Sequence, residues 1–158
     1  RRQRQMCIRD SYNLHLSAYT SDDTIATEQL EMLCADMLQE YESGNYCIAG
    51  GDFNKDLLGA SAEIFGVTGG ENDTWAQPIP EGTIPAGLSL VAPFDPEHPV
   101  ASCRTANEPY DVKTSFRVTV DGFLVSDNVE VLGADVVDAD YRYSDHNPIY
   151  MDFILKSE

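Results

Sequence analysis

The sequence, 158 residues long, reads as an α+β chain on three observations. A strand–helix–strand pattern occupies its first third. Two β-rich runs and a closing strand occupy its last third. Between them lies a stretch rich in Gly, Pro, Thr and Asn. A chain of this length can bury the core of one ordinary domain.

Tyr12–Tyr19 reads as a strand, because Asn13-Leu14-His15-Leu16 alternates and so places Asn13 and His15 on one face and the leucines on the other. Ser21-Asp22-Asp23-Thr24 supplies capping oxygens and early-turn acids. The helix that follows runs to about Glu42, with Leu30, Leu33, Cys34, Met37, Leu38 and Tyr41 recurring at helical spacing. Ser43-Gly44-Asn45 stops it, and Tyr46–Gly50 is the next strand. A crossover of this kind brings His15 and Asp52 to one edge of a sheet. Leu57–Phe65 suggests a short helix, and Gly66 to about Asp111 a long irregular insertion, a length that usually means function or disorder. Trp75, Phe94, Arg104 and Tyr110 within it are candidates to line a substrate groove, although Trp75 could equally pin the loop to the core. Phe116–Ser126, Val129–Val137 and Ile149–Leu155 read as strands.

Residues 1–11 differ from the rest: they hold four of the ten basic residues and no apolar run after the arginines, which argues against a signal peptide. They read as a non-native leader, leaving 12–158 as the domain. The net charge of −17 becomes −20 once their four arginines and one aspartate are set aside. So acidic a surface repels a long polyanion and disfavours sequence-blind coating of duplex DNA, while its acids suit Mg²⁺ or Ca²⁺. The four cysteines form no CxxC or Cys/His pattern, and Cys34 and Cys47 read as buried free thiols. The sequence has no run of transmembrane length and leaves the compartment and oligomeric state open. His98 reads as a plain loop histidine, and the sequon Asn72-Asp73-Thr74 carries little weight.

Two strings carry chemistry. Cys47-Ile-Ala-Gly-Gly-Asp-Phe-Asn54 is an apolar strand ending in two glycines, an acid and an amide. In extended chain Asp52 and Asn54 share a face; the competing reading is simple turn chemistry. Tyr143-Ser-Asp-His-Asn-Pro148 sets Asp145 directly before His146 at the mouth of the last strand. A loop acid and an exposed histidine are the ordinary alternative, but an imidazole is the side chain that exchanges protons near neutral pH. Asp121, inside Val118–Val125, is an acid in a β-rich run and needs solvent or a partner.

In order, N-x-H-L, G-G-D-F-N, V-D-G-F-L-V-S and S-D-H-N-P resemble the motifs of the endonuclease/exonuclease/phosphatase superfamily, the DNase I-like fold, over most of the chain from about Tyr12. The resemblance implies a four-layer α/β sandwich, present here as an incomplete C-terminal half, since that family's earlier asparagine and glutamate motifs would precede His15. It implies a divalent-metal-dependent phosphoester hydrolase using Mg²⁺, or Mn²⁺ or Ca²⁺, weak or inactive as it stands. Its substrate would be a small molecule, a lipid headgroup or a nucleic acid. By the same resemblance Asp52 positions or deprotonates water and Asn54 holds the phosphate. His146 is a general base or transition-state stabiliser, His15 is a general acid or phosphate ligand, Asp121 orients His15, and Asp145 with Asp52 binds metal. The family often has arginine or tyrosine where this chain has Gly122. A DNase-like endonuclease and a non-catalytic remnant or binding module are the alternatives.

Overall fold

The computed structural model describes residues 9–18, 24–66 and 75–156. Strand β1 (Arg9–His15) pairs in parallel with β2 (Tyr46–Asp52), and helix α1 (Thr24–Glu42) connects them. Ala26, Leu30, Cys34 and Met37 are buried on one stripe of α1, the recurrence that lets a helix lie along a sheet. The helix ends as Gly44 turns left-handed (φ 88°) and the Asn45 amide reaches back to the Glu40 carbonyl at 3.0 Å. The expected capping residues Ser21–Asp23 and the sequon lie outside the described residues, as does most of the leader. Arg9–Ser11, assigned by sequence to the leader, belong to β1, which ends at His15 rather than Tyr19.

The main sheet has four strands in the order β1-β2-β6-β3. Strand β6 (Asp121–Ser126) runs antiparallel to β2 on one side and to β3 (Leu88–Val91) on the other. Strand β3 lies inside the stretch read as irregular, as does β4 (Cys103–Arg104), which pairs with β5 (Arg117–Val118). Short helix α2 (Ser61–Ile64) covers part of the Leu57–Phe65 expectation. Its lead-in is tied by Asp56, which accepts from the amides of Leu58, Gly59 and Ser61 and from Ser61 Oγ. Strands β7 (Val129–Val136) and β8 (Ile149–Leu155) form a separate antiparallel ladder, and β8 has the expected bounds.

Leu16, Leu30, Met37, Cys47, Ala49, Phe53, Leu88 and Leu124 form the core between α1 and the main sheet. A second cluster, around Phe116, Val118 and Val120, backs β4 and β5. Cys34 and Cys47 are buried free thiols, as expected.

Candidate active site

Sheet register builds the first half of the site. His15 pairs with Asp52 across β1 and β2, and Asp52 pairs with Asp121 across β2 and β6. Directly opposed residues point to the same face, so the three side chains make one row at one end of the sheet. His15 Nε2 lies 3.5 Å from Asp52 Oδ2. The row requires close strands at its centre. A Cβ on Gly51, at φ +145°, would sit 2.1 Å from the Leu14 carbonyl oxygen. A Cβ on Gly122 would sit 2.5 Å from Leu57 and 2.9 Å from the Val91 carbonyl oxygen, which explains why no arginine or tyrosine follows this acid.

Asn54 joins the row by a different route from the one its spacing suggests. Strand β2 stops at Asp52 and Asn54 is left-handed (φ 50°), so the two do not share an extended face. Instead the Asn54 amide donates to Asp52 Oδ1 at 2.7 Å, and Asn54 Nδ2 donates to the Leu16 carbonyl at 2.7 Å and to Asp52 Oδ2 at 3.3 Å. Turn chemistry and site chemistry coincide here: the turn aims Asp52 and fixes the carboxamide beside it.

The loop before β8 brings the second half. It docks on β4 through the Asn147 amide to the Ser102 carbonyl (2.7 Å) and the Arg104 amide to the Asp145 carbonyl (3.0 Å). Buried Asn147 also donates to the Ala101 carbonyl and accepts from the Ala139 amide. So anchored, His146 Nδ1 meets Asp121 Oδ2 at 2.7 Å, while its Nε2 lies 3.5 Å from Cys103 Sγ and 4.0 Å from Asp52 Oδ2. The expectation that Asp121 orients His15 is thereby corrected: its carboxylate holds His146, because β6 begins under the docked loop. Buried Ser102 supports the acid by accepting from the amides of Val120 and Asp121, each at 3.0 Å. Cys103, Ser102 and Asn147 escaped the sequence reading. The first two lie in a stretch with no motif, and only the position of Asn147 beside His146 could have drawn notice.

Electrostatics divides the roles. The hydrogen bond to Asp121 is the largest cause that pushes His146 up to about 11, with contact to Cys103 adding to it and burial opposing it. Burial raises the Cys103 thiol, so its sulfur faces the ring unionised near neutral pH. His146 is therefore an imidazolium there, a donor and a positive charge rather than a base. Burial also raises Asp52, with the nearby Asp121 carboxylate acting the same way, against the Asn54 amide and the two imidazoles, which lower it. A carboxylate so raised is a better proton acceptor than a free one.

His15, Asp52, Asn54, Asp145 and His146 all line one cleft of about 370 Å³, together with Trp75, Cys103 and Arg104. Phe94 and Tyr110 are not among its lining residues; Tyr110 packs edge-on against Tyr141 at 4.8 Å instead. Among the described residues no three His, Cys, Asp or Glu side chains converge on a metal position. The cleft nonetheless presents the carboxylates of Asp52 and Asp145. Two oxygen donors fit a Mg²⁺ ion that takes its other ligands from phosphate and water, and they do not make a closed cage. No described helix is long and apolar enough to cross a membrane.

An acid–imidazole cleft thus lies at one end of a mixed sheet backed by a long helix, an α+β architecture. No family model matches the chain, and no curated protein does. Solved structures do. ANGEL2, a 2′,3′-cyclic phosphatase in complex with adenosine-2′,3′-vanadate, matches with a TM-score of 0.57 and 16% identity, covering 94% of this chain and 57% of that one. D. rerio TDP2 complexed with single-strand DNA product matches at 0.56 and 18%, covering 90% and 54%. The human Nocturnin catalytic domain with bound sulfate matches at 0.52 and 20%, covering 91% and 46%. The chain shares the α+β fold of these structures, which is DNase I-like, and spans about half their length.

Proposed function

We propose that the chain carries the catalytic residues of a divalent-metal-dependent phosphoester hydrolase. The observation that carries this reading is the row His15–Asp52–Asp121 closed by His146, with all but Asp121 lining one cleft. Asp52 Oδ2 takes the proton of the attacking water, since Oδ1 is occupied by the Asn54 amide. His146, held by Asp121, presents its Nε2 proton to the phosphoryl oxygen as charge builds there. The Asn54 Nδ2 proton that reaches Asp52 Oδ2 at 3.3 Å turns to the same phosphate, which frees Oδ2 for the water, and exposed His15 hands a proton to the departing oxygen. A divalent ion, Mg²⁺ by the hardness of its donors, would be held by Asp145 and Asp52 and would neutralise phosphoryl charge. Strong net negative charge favours a small or short phosphoester over long duplex DNA.

The test is hydrolysis of bis-p-nitrophenyl phosphate and p-nitrophenyl phosphate with Mg²⁺ or EDTA, by this chain and by the full-length protein containing it. Metal-dependent release of nitrophenol that falls about a hundredfold or more in both His146→Ala and Asp52→Asn supports the proposal. Release that ignores both substitutions, or none from the full-length protein on either ester, refutes it and favours a binding module.

A further inference from the structure

Arg104 is the single Arg or Lys among the residues lining the cleft, and no carboxylate pairs with it among the described residues. In a chain with 27 acidic and 10 basic residues, a guanidinium kept beside the catalytic cleft without an acid is available to an anion. Its contacts are one-sided. Nη1 donates to the carbonyls of Thr105 (2.8 Å) and Glu108 (3.3 Å), and the Tyr110 ring lies 5.9 Å from the guanidinium carbon. Those bonds hold the loop that follows β4, which is a structural role in itself. They leave Nε buried with no partner and, among the described residues, Nη2 with none either. Buried donors without acceptors are rare, and Nη2 is the guanidinium donor that a phosphate in the cleft can reach with a charge-assisted hydrogen bond.

Successive side chains on a strand leave on opposite sides. Cys103 contacts His146, while Arg104 lines the same cleft together with Thr105 and Asn107. We propose that Arg104 forms a second anion subsite, which holds a non-scissile phosphate of the substrate while His15, Asp52 and His146 act on the scissile one. The preferred substrate therefore carries two phosphate groups close together. This inference rests on the phosphoester reading of the cleft.

The chain has one tryptophan, Trp75, and it lines this cleft, so its fluorescence reports binding without turnover. The chain is titrated in metal-free buffer with inorganic phosphate and with pyrophosphate. Wild type is expected to bind pyrophosphate about tenfold or more tighter than phosphate, the gain of one further charge-assisted contact. Arg104→Ala is expected to lose that preference while still binding phosphate, and Arg104→Lys to keep part of it. Near-UV circular dichroism checks that the loop survives in each variant, and Arg104→Gln serves if Arg104→Ala does not fold. Equal affinities in wild type, a preference unchanged in the variants, or no pyrophosphate binding at all would overturn the subsite. Two further substrates separate this from the hydrolase reading: thymidine 5′-(p-nitrophenyl phosphate) with and without a 3′-phosphate. If both are hydrolysed at equal rates in wild type and in Arg104→Lys, the hydrolase stands and the subsite falls. If neither is hydrolysed while the pyrophosphate preference persists, Arg104 still binds an anion, but the hydrolase reading falls and with it the assignment of a non-scissile phosphate.

Discussion

Replacing Asp121 by asparagine keeps the shape of the side chain and removes the charge that faces His146 Nδ1 at 2.7 Å. The carboxylate is 15% exposed and the imidazole 32%, so the pair is partly screened. A hydrogen bond between charged groups contributes about 1.5–3 kcal/mol, and about 1.4 kcal/mol corresponds to one pKa unit. The variant should therefore lower the titration midpoint of His146, up to about 11 in the wild type, by at least about one unit. The assay is an NMR titration of the His146 ring, assigned with a His146→Gln control. The sign extends to stability. The folded-state midpoint lies above the ordinary histidine value of about 6.5, so the pair's stabilisation is fully present below that value and is lost as pH rises toward about 11. Urea denaturation should show wild type ahead of Asp121→Asn by about 1–2 kcal/mol near pH 6, the gap shrinking near pH 10. A wild-type His146 that titrates near 6.5, or a midpoint unmoved by the substitution, would refute the claim that Asp121 holds this ring as a cation.

Three further outcomes follow from the packing around the site. Gly51→Ala should cost about 3 kcal/mol or more, since it strains a positive φ and drives a methyl into the Leu14 carbonyl; a urea midpoint within error of wild type would contradict this. Ser102→Ala should cost about 2–4 kcal/mol by orphaning the buried amides of Val120 and Asp121, and it should lower the His146 midpoint as Asp121 loosens; a change below about 0.5 kcal/mol would show that water replaces the hydroxyl. The β7–β8 ladder exposes Leu132 (62%), Ile154 (48%), Tyr150 (48%) and Phe153 (41%), so the isolated chain should bind an apolar dye such as ANS, and Leu132→Asp with Phe153→Asp should reduce the signal; a dye-negative wild-type chain would sink that expectation.

The parts of the fold that were legible in the sequence are those set by local pattern. Helix α1 follows from the spacing of Leu30, Cys34 and Met37, and β8 from its apolar run after Pro148. The meeting of His15 with Asp52 was legible because a strand–helix–strand crossover returns the chain beside itself in parallel. Strand β3 was hidden because its four residues sit among glycines and prolines, and its pairing with β6 is a tertiary fact. The partner of Asp121 was hidden for the same reason: whether His15 or His146 meets it depends on where a loop 25 residues away docks. Asn54 was placed correctly beside Asp52 for an incorrect reason, since the chain leaves the strand one residue sooner than extended spacing assumes. Cys103 had no motif around it, and only the Cys103–His146 bridge between β4 and the docked loop reveals its place.

The central claim is that this cleft delivers water to phosphorus under the control of Asp52 and His146. The most direct measurement is hydrolysis of bis-p-nitrophenyl phosphate in ¹⁸O-water by the full-length protein containing the chain, wild type against His146→Ala and Asp52→Asn, with products read by mass spectrometry. The account predicts one ¹⁸O in the p-nitrophenyl phosphate, none in the nitrophenol, and a rate about a hundredfold or more lower in each variant. Label in the nitrophenol, or labelled phosphate formed equally fast without His146 or without the Asp52 carboxylate, would contradict it.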